Sequence, residues 1–374
     1  MNLLVLDQFS DLGGAQQNLL EFLPALRQAG WSAQVGLPGE GPLFARLRTL
    51  GFPVERIACG PYQSGTKSLA DLMRFTLTTP LLAWQIRRMA RRSRAEAVYL
   101  NGPRLIPAAA MAELDLPVLF HCHSYLGPGS LRTLAGTSLG HMKAWVSGQC
   151  EYVTAPWREF VTPQRVSVIH IGVPGPPNWP VRPSGGPPHV GCIGRIAPEK
   201  GQREFVAAAA RIHQALPQCR FTIYGAPLFG DRAAEAYAAE VRAAAEGLPI
   251  TFAGWVDDIY ACLAELDLLL VPSTGHEATT RVILEAFAAG VTVITFPTGG
   301  IREVVDDGVN GVLVRDVDMM AHRAIELLTG DARHLIRMAH TARATWMGRF
   351  RPGHNHQQML SLLRSMSAAG DSNH

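Results

Sequence analysis

Residues 189–209, HVGCIGRIAPEKGQREFVAAA, run from an apolar strand through a glycine-bearing loop into an amphipathic helix. The same order opens the chain at residues 3–23, LLVLDQFSDLGGAQQNLLEFL. Strand, loop and helix repeated in this way is the unit of a parallel α/β sheet, and two separate beginnings predict two such sheets. Outward from the first stretch, FTIYG (221–225), ITFAG (250–254), DLLLVPS (267–273) and VTVITF (291–296) supply further strands, closing near GVLV (311–314). Outward from the second, AVYL (97–100) and PVLFHCH (117–123) do the same.

Between the halves lies IGVPGPPNWPVRPSGGPP (171–188), too dense in proline and glycine to hold a helix or a central strand. The expected organisation is an N-terminal α/β domain over residues 1–172, a linker over 173–188 and a second α/β domain over 189–349. Residues 350–374 carry an apolar pattern, Met359, Leu360, Leu362, Leu363 and Met366, and are expected to pack back on the first domain. Ligands of open parallel sheets bind outside the carboxyl ends of the strands, so two facing sheets would make one cleft.

Composition narrows the class. A chain of 374 residues exceeds one ordinary core. With 34 Lys and Arg against 31 Asp and Glu, it offers no overall electrostatic case for nucleic acid. Its first apolar run stops at Asp7, which reads as a strand and not a secretion signal, and no run approaches the ~18 residues of a membrane span. The six cysteines, at 59, 122, 150, 192, 219 and 262, form no C-x-x-C pair, which disfavours a disulfide framework or a zinc site. A soluble, reduced, cytoplasmic protein is expected.

The densest chemical signal is HEATTRVILEAFAAG (276–290). Read as one helix, it sets Glu277 and Glu285 about 12 Å apart along the axis and about 80° apart around it. An acid and base pair acting on one glycosidic bond would sit about 5 to 9.5 Å apart, so the spacing instead suits two hydroxyl-bearing parts of one long ligand. Glu285 lies inside the apolar run Val282, Ile283, Leu284, Ala286, Phe287, where an unpaired carboxylate is costly.

In GRIAPEKG (194–201), Arg195 and Lys200 follow a strand end and precede a helix. A planar guanidinium, a point charge and free helix-start amides together suit a diphosphate. Gly13 and Gly14 in DLGGAQQN, like Gly299 and Gly300 after VTVITF, allow close backbone approach to a ligand or simply make a turn; the spacing is not that of a dinucleotide fingerprint. His121 and His123 alternate with Cys122 at a strand end, where a histidine either bonds a sugar hydroxyl or sits satisfied in the core. In WQIRRMARRSR (84–94), Arg87, Arg88, Arg91 and Arg92 share one helical face, which is either merely solvated or able to meet anionic lipid head groups.

Taken together, LGGAQ, PVLFHCHS, VIHIGVP, GRIAPEKG, FTIYG, ITFAGWVDD, LLLVPS, HEATTRVILEAFAAGVTVI and GGIREVVDDGVNGVLV, in this order, resemble the retaining glycosyltransferases of family four. The resemblance implies the GT-B fold, with two Rossmann-like domains and the E-x7-E motif. It implies a nucleoside-diphosphate sugar, UDP- or GDP-linked, as donor, with no metal and no other cofactor, and a saccharide or lipid-linked acceptor in envelope or exopolysaccharide synthesis. It assigns Glu285 to the ribose hydroxyls, Glu277 to the transferred sugar, and Arg195 and Lys200 to the diphosphate, with backbone amides of Thr280, Arg281 and Val282 beside them. His123 would lie near the sugar, Gly13 and Gly14 in the loop approaching it, and Gly225 and Trp255 at the base pocket. The catalytic set on this reading is Arg195, Lys200, Glu277 and His123. It implies front-face attack with the diphosphate taking the acceptor proton, and a peripheral place at the inner membrane face. One departure stands out. Ala278, Thr279 and Thr280 occupy positions where the family usually has Gly-Phe-Gly or Ala-Phe-Gly, which restricts backbone approach and leaves open a non-catalytic sugar-nucleotide binder; a sugar-nucleotide epimerase on the same fold is the other enzymatic reading.

Overall fold

The computed structural model describes residues 1–60, 69–178, 186–227 and 232–371. The chain divides into two compact units, Met1–Ile171 with Pro352–His374, and Gly172–Arg351. Residues 173–178 and 186–188 of the Pro/Gly-rich stretch fall in the second unit, and residues 179–185 lie outside the described residues.

In the first unit, short apolar runs form β1 (Asn2–Asp7), β2 (Ser32–Leu37), β3 (Val54–Arg56), β4 (Ala97–Asn101), β5 (Val118–Cys122), β6 (Trp145–Gly148) and β7 (Val166–Val168). They join in the order β3-β2-β1-β4-β5-β6-β7, every pair parallel. Between them run α1 (Gly14–Gln28), α2 (Pro42–Thr49), α3 (Leu69–Ser93), α4 (Ile106–Met111), α5 (Ser130–His141) and α6 (Glu151–Thr154). The central strands β1, β4 and β5 are buried throughout except at Asn2, as both faces of a parallel sheet covered by helices require.

The second unit repeats the pattern with β8 (His189–Ile193), β9 (Arg220–Tyr224), β10 (Ile250–Gly254), β11 (Leu268–Val271), β12 (Thr292–Thr295) and β13 (Val312–Leu313). Its parallel order is β10-β9-β8-β11-β12-β13. Its helices are α7 (Gln202–Ala215), α8 (Arg232–Ala244), α9 (Ile259–Ala264), α10 (Arg281–Ala289), α11 (Val317–Thr329) and α12 (Ala332–Thr345). Phe205, Phe221, Ile223, Leu268, Leu270 and Ile294 centre its core.

The last helix, α13 (Pro352–Asp371), belongs to the first unit. Met359, Leu363 and Met366, spaced three and four apart, are buried with Leu19, Leu23 and Leu26 of α1. Asn355 donates to the His170 carbonyl at 2.8 Å, fixing the start of that helix.

In both sheets the strand order reverses beside the first strand, between β1 and β4 and between β8 and β11. A ligand site in such a sheet opens at this switch point, outside the carboxyl ends of the two strands. Asp7 and Asn101 end one pair, and Arg195 and Ser273 lie just past the ends of the other.

Candidate functional site

In the second unit, two loops lock together past β8 and β11. Gln202, buried at the start of α7, donates to the Arg195 carbonyl at 2.9 Å and so shapes the turn after β8. The amides of Thr274 and Gly275 both donate to the Glu199 carbonyl. Across this junction Lys200 Nζ reaches Glu277 Oε1 at 2.6 Å, and Arg195 pairs with Glu199. On α10, Arg281 Nε donates to Glu285 Oε1 at 2.8 Å.

One expectation is corrected here. Glu277 and Glu285 do not share a helix: α10 begins only at Arg281, with Thr280 extended at φ −73°, ψ 108°. Glu277 sits in the preceding loop, its carbonyl accepting from the Gly300 amide at 3.0 Å. Gly299 has φ +53°, and a Cβ there would lie 1.9 Å from the Glu277 carbonyl oxygen. With its carbonyl given to the Gly300 amide, which approaches this closely only past a glycine, Glu277 stands in a loop, so the 12 Å and 80° ruler does not apply to it.

The expected cations Arg195 and Lys200, and Arg281 beside them, already face carboxylates. Arg195, Lys200 and Arg281 are matched by Glu199, Glu277 and Glu285, so the cluster is balanced in charge in this state. A diphosphate entering it would exchange with Glu199 and Glu277 for the guanidinium and ammonium protons. Thr280, the N-cap of α10, makes no side-chain cap bond. Its buried hydroxyl, like that of Ser273, finds no hydrogen-bond partner among the described residues. The helix start therefore keeps donors for an incoming acceptor. The Val282 side chain is buried, which leaves its backbone as the part able to meet a ligand. Gly225 has φ +149°, and a Cβ would lie 1.9 Å from the Gly194 carbonyl oxygen, so only glycine fits beside the β8 end. Trp255, just past β10, is 53% exposed and stands free to stack on a planar group.

In the first unit the sequence reading missed a buried relay. Asp7, at the end of β1, accepts from Gln16 Nε2 at 3.0 Å, from the Phe9 amide at 2.9 Å and from Asn101 Nδ2. Asn101 then offers Oδ1 to His123 Nε2 at 2.6 Å, and Gln149 Nε2 meets His123 Nδ1. Because Asn101 donates to Asp7, its oxygen accepts from His123, which fixes a neutral imidazole protonated on Nε2. Burial, and then the neighbouring His121, keep the His123 pKa well below its usual value. Burial raises that of Asp7 to about 6 against the hydrogen bonds that lower it, Asn101 first. His121 packs its ring 4.1 Å from that of His123. It bonds the Tyr99 hydroxyl, and burial lowers its pKa to about 3. Both ring nitrogens of His123 are thus engaged within the unit. The signal for Asp7 and Asn101 was their type and place, polar side chains ending two otherwise apolar central strands.

Gly13 ends the loop before α1, its amide bonded to Gln16 Oε1 at 3.2 Å. A Cβ on Gly14 would meet nothing within 4 Å, so packing does not dictate that glycine. On α3, Arg87 donates to the Ala112 carbonyl at 2.7 Å and Arg92 to Glu55 at 2.6 Å, while Arg88 and Arg91 are exposed. Among the described residues no helix is long and apolar enough to cross a membrane.

Comparisons with known proteins agree with this architecture. Residues 187–330 match the family described as Glycosyl transferases group 1, and residues 13–172 the Glycosyl transferase 4-like domain. The 2-deoxystreptamine N-acetyl-D-glucosaminyltransferase of Streptomyces fradiae is 34% identical over 155 residues, 40% of this chain and 36% of that protein. The lipopolysaccharide core biosynthesis glycosyltransferase LpsE of Rhizobium meliloti is 31% identical over 180 residues, 48% of this chain and 50% of that one. The matched region thus spans about a third to a half of these curated relatives. Among solved structures, Anabaena HepE in complex with UDP and glucose superposes with a TM-score of 0.81 at 25% identity, covering 98% of this chain and 100% of HepE. HepE with UDP alone gives 0.82 at the same identity and coverage.

Proposed function

The chain belongs to the group 1 glycosyl transferases, with the GT-B fold, and from that premise we propose that it moves a hexose from a nucleoside-diphosphate sugar, UDP-linked in the first instance, to a saccharide or lipid-linked acceptor. The observation that carries this is the cluster of Arg195, Lys200, Glu277, Thr280 and Glu285 gathered at the switch point of the second sheet. Two cations, a helix start and an unpartnered buried hydroxyl suit a diphosphate, and two carboxylates suit vicinal hydroxyls.

In the proposed reaction the acceptor oxygen forms a bond to the anomeric carbon as the bond from that carbon to the diphosphate oxygen breaks. The acceptor proton passes to the departing diphosphate, whose charge Arg195, Lys200 and the α10 start offset. Attack on the face that the diphosphate leaves gives retention. Glu285 would hold the ribose, Glu277 the sugar, and Gly225 and Trp255 would border the base. His123, whose orientation Asn101 and Gln149 fix, keeps the part near the sugar that the resemblance gives it. No metal is called on, because fixed cations supply the counter-charge. The setting we propose is envelope or exopolysaccharide synthesis, in line with the likeness to a lipopolysaccharide core biosynthesis glycosyltransferase.

The test is release of UDP from UDP-hexoses in the presence of candidate saccharides, with the anomeric configuration of the product read by NMR. Transfer with retention supports the reading. An altered sugar nucleotide formed without acceptor would point instead to an epimerase.

A further inference from the structure

Helix α3 carries four large apolar side chains in the open: Met73, Leu77, Leu81 and Trp84, at 64%, 75%, 50% and 55% exposure. At about 100° per residue they fall within about 80° of one another, and Arg88 and Arg91 continue the same strip toward the helix end. The opposite side of the helix is core, with Leu82, Ala83, Ile86, Met89 and Ala90 buried. Trp84, Arg87, Arg88, Arg91 and Arg92 line an open hollow of about 600 Å³, and the Arg88 guanidinium lies 5.3 Å from the Trp84 ring centre.

We propose that this strip docks on an anionic lipid bilayer. Met73, Leu77, Leu81 and Trp84 would enter the boundary between head groups and acyl chains, and the arginine hollow would take lipid phosphates. Charge complementarity selects this occupant. Asp71 is the sole acidic residue of α3, and of the four arginines lining the hollow Arg87 and Arg92 meet carboxylates, Glu113 and Glu55, among the described residues. A second copy seated on the strip would bring guanidinium groups against apolar side chains or other arginines, whereas a phosphate surface supplies the missing anions. Apolar residues on one face with arginine beside them are the pattern of a helix lying in a membrane interface. The surface deepens the reading above, because a lipid-linked acceptor is reached from a bilayer, yet it is tested without turnover.

The experiment is co-sedimentation of the full chain with vesicles of phosphatidylcholine and phosphatidylglycerol, against phosphatidylcholine alone. Preferential binding to the anionic vesicles, weakened by salt, is expected. Arg88→Gln with Arg91→Gln should bind roughly thirtyfold more weakly. Leu77→Ser with Trp84→Ser should lose the binding that survives at high salt. Both variants should keep the wild-type Tm and UDP affinity, which separates this surface from the donor site. Equal binding to both vesicle types, unchanged binding by both variants, or self-association that Leu77→Ser with Trp84→Ser abolishes in the absence of vesicle binding would overturn the proposal.

Discussion

Lys200 Nζ lies 2.6 Å from Glu277 Oε1, joining the loop after β8 to the loop after β11 across 77 positions of sequence. The pair is largely shielded from water, Lys200 being 24% exposed and Glu277 11%. The pair fixes an ammonium at the switch point before any ligand arrives, which is the preorganisation that stabilises developing charge. Lys200→Ala removes that charge and strands a carboxylate. The expected loss in kcat/KM for donor turnover is about 10²- to 10³-fold, measured by UDP release.

Glu285 is held by Arg281 at 2.8 Å inside an otherwise apolar helix. If it binds ribose, Glu285→Ala should raise the Kd for UDP about tenfold or more by calorimetry, while inhibition by inorganic diphosphate stays near wild type. A UDP Kd equal to wild type would remove the ribose assignment.

Asn101 links Asp7 to His123 and sets the imidazole orientation. Asn101→Ala should lower kcat about 10- to 100-fold and leave UDP affinity unchanged, because the relay lies in the first unit and the diphosphate residues in the second. A variant with wild-type kcat would show that His123 needs no such support.

Asp7 and His121 act on stability in opposite directions over the acid range. The folded pKa of Asp7, about 6, stands above its unfolded value of 3.8. Its contribution is therefore present below that value and lost as pH rises through about 6. His121, lowered from 6.5 to about 3, does the reverse: its contribution is present above 6.5 and lost as pH falls toward 3. Relative to wild type, Asp7→Asn should gain about 3 kcal/mol of stability between about pH 3.5 and about pH 7, by denaturant unfolding. A difference that does not vary with pH would mean that Asp7 is not the buried, desolvated carboxylate described here.

With arginine, lysine and a helix start as the only counter-charges required, donor turnover should be the same in EDTA as in magnesium. Loss of turnover in the chelator, restored by a divalent ion, would contradict the metal-independent reading.

Much of the fold was legible because buried parallel strands read as short apolar runs. LLVLD, AVYL, HVGCI and LLLV all became strands, and the amphipathic patterns between them became helices. What failed was local and caused from afar. No glycine or proline stands between Glu277 and Glu285, so Glu277 looked helical. The contact its loop makes instead comes from Gly299 and Gly300, more than twenty positions on. Likewise the motif residues Arg195, Lys200 and Glu277 were visible by type, but the pairing of Lys200 with Glu277 depends on β8 lying beside β11. His123 was visible past a strand end, while its partners are Asn101, which ends the neighbouring strand β4, and Gln149, just past the neighbouring strand β6. Sheet order, which periodicity does not encode, made these contacts.

The most direct test is calorimetric titration of the purified chain with UDP, GDP and ADP in EDTA, beside Lys200→Ala and Glu285→Ala. UDP is expected to bind, and both substitutions to weaken it. At about 100 times its Kd, UDP should also add roughly 2.7 kcal/mol of stability. A folded protein that binds none of the three nucleotides, or binds UDP equally well without Lys200 and Glu285, would contradict the account.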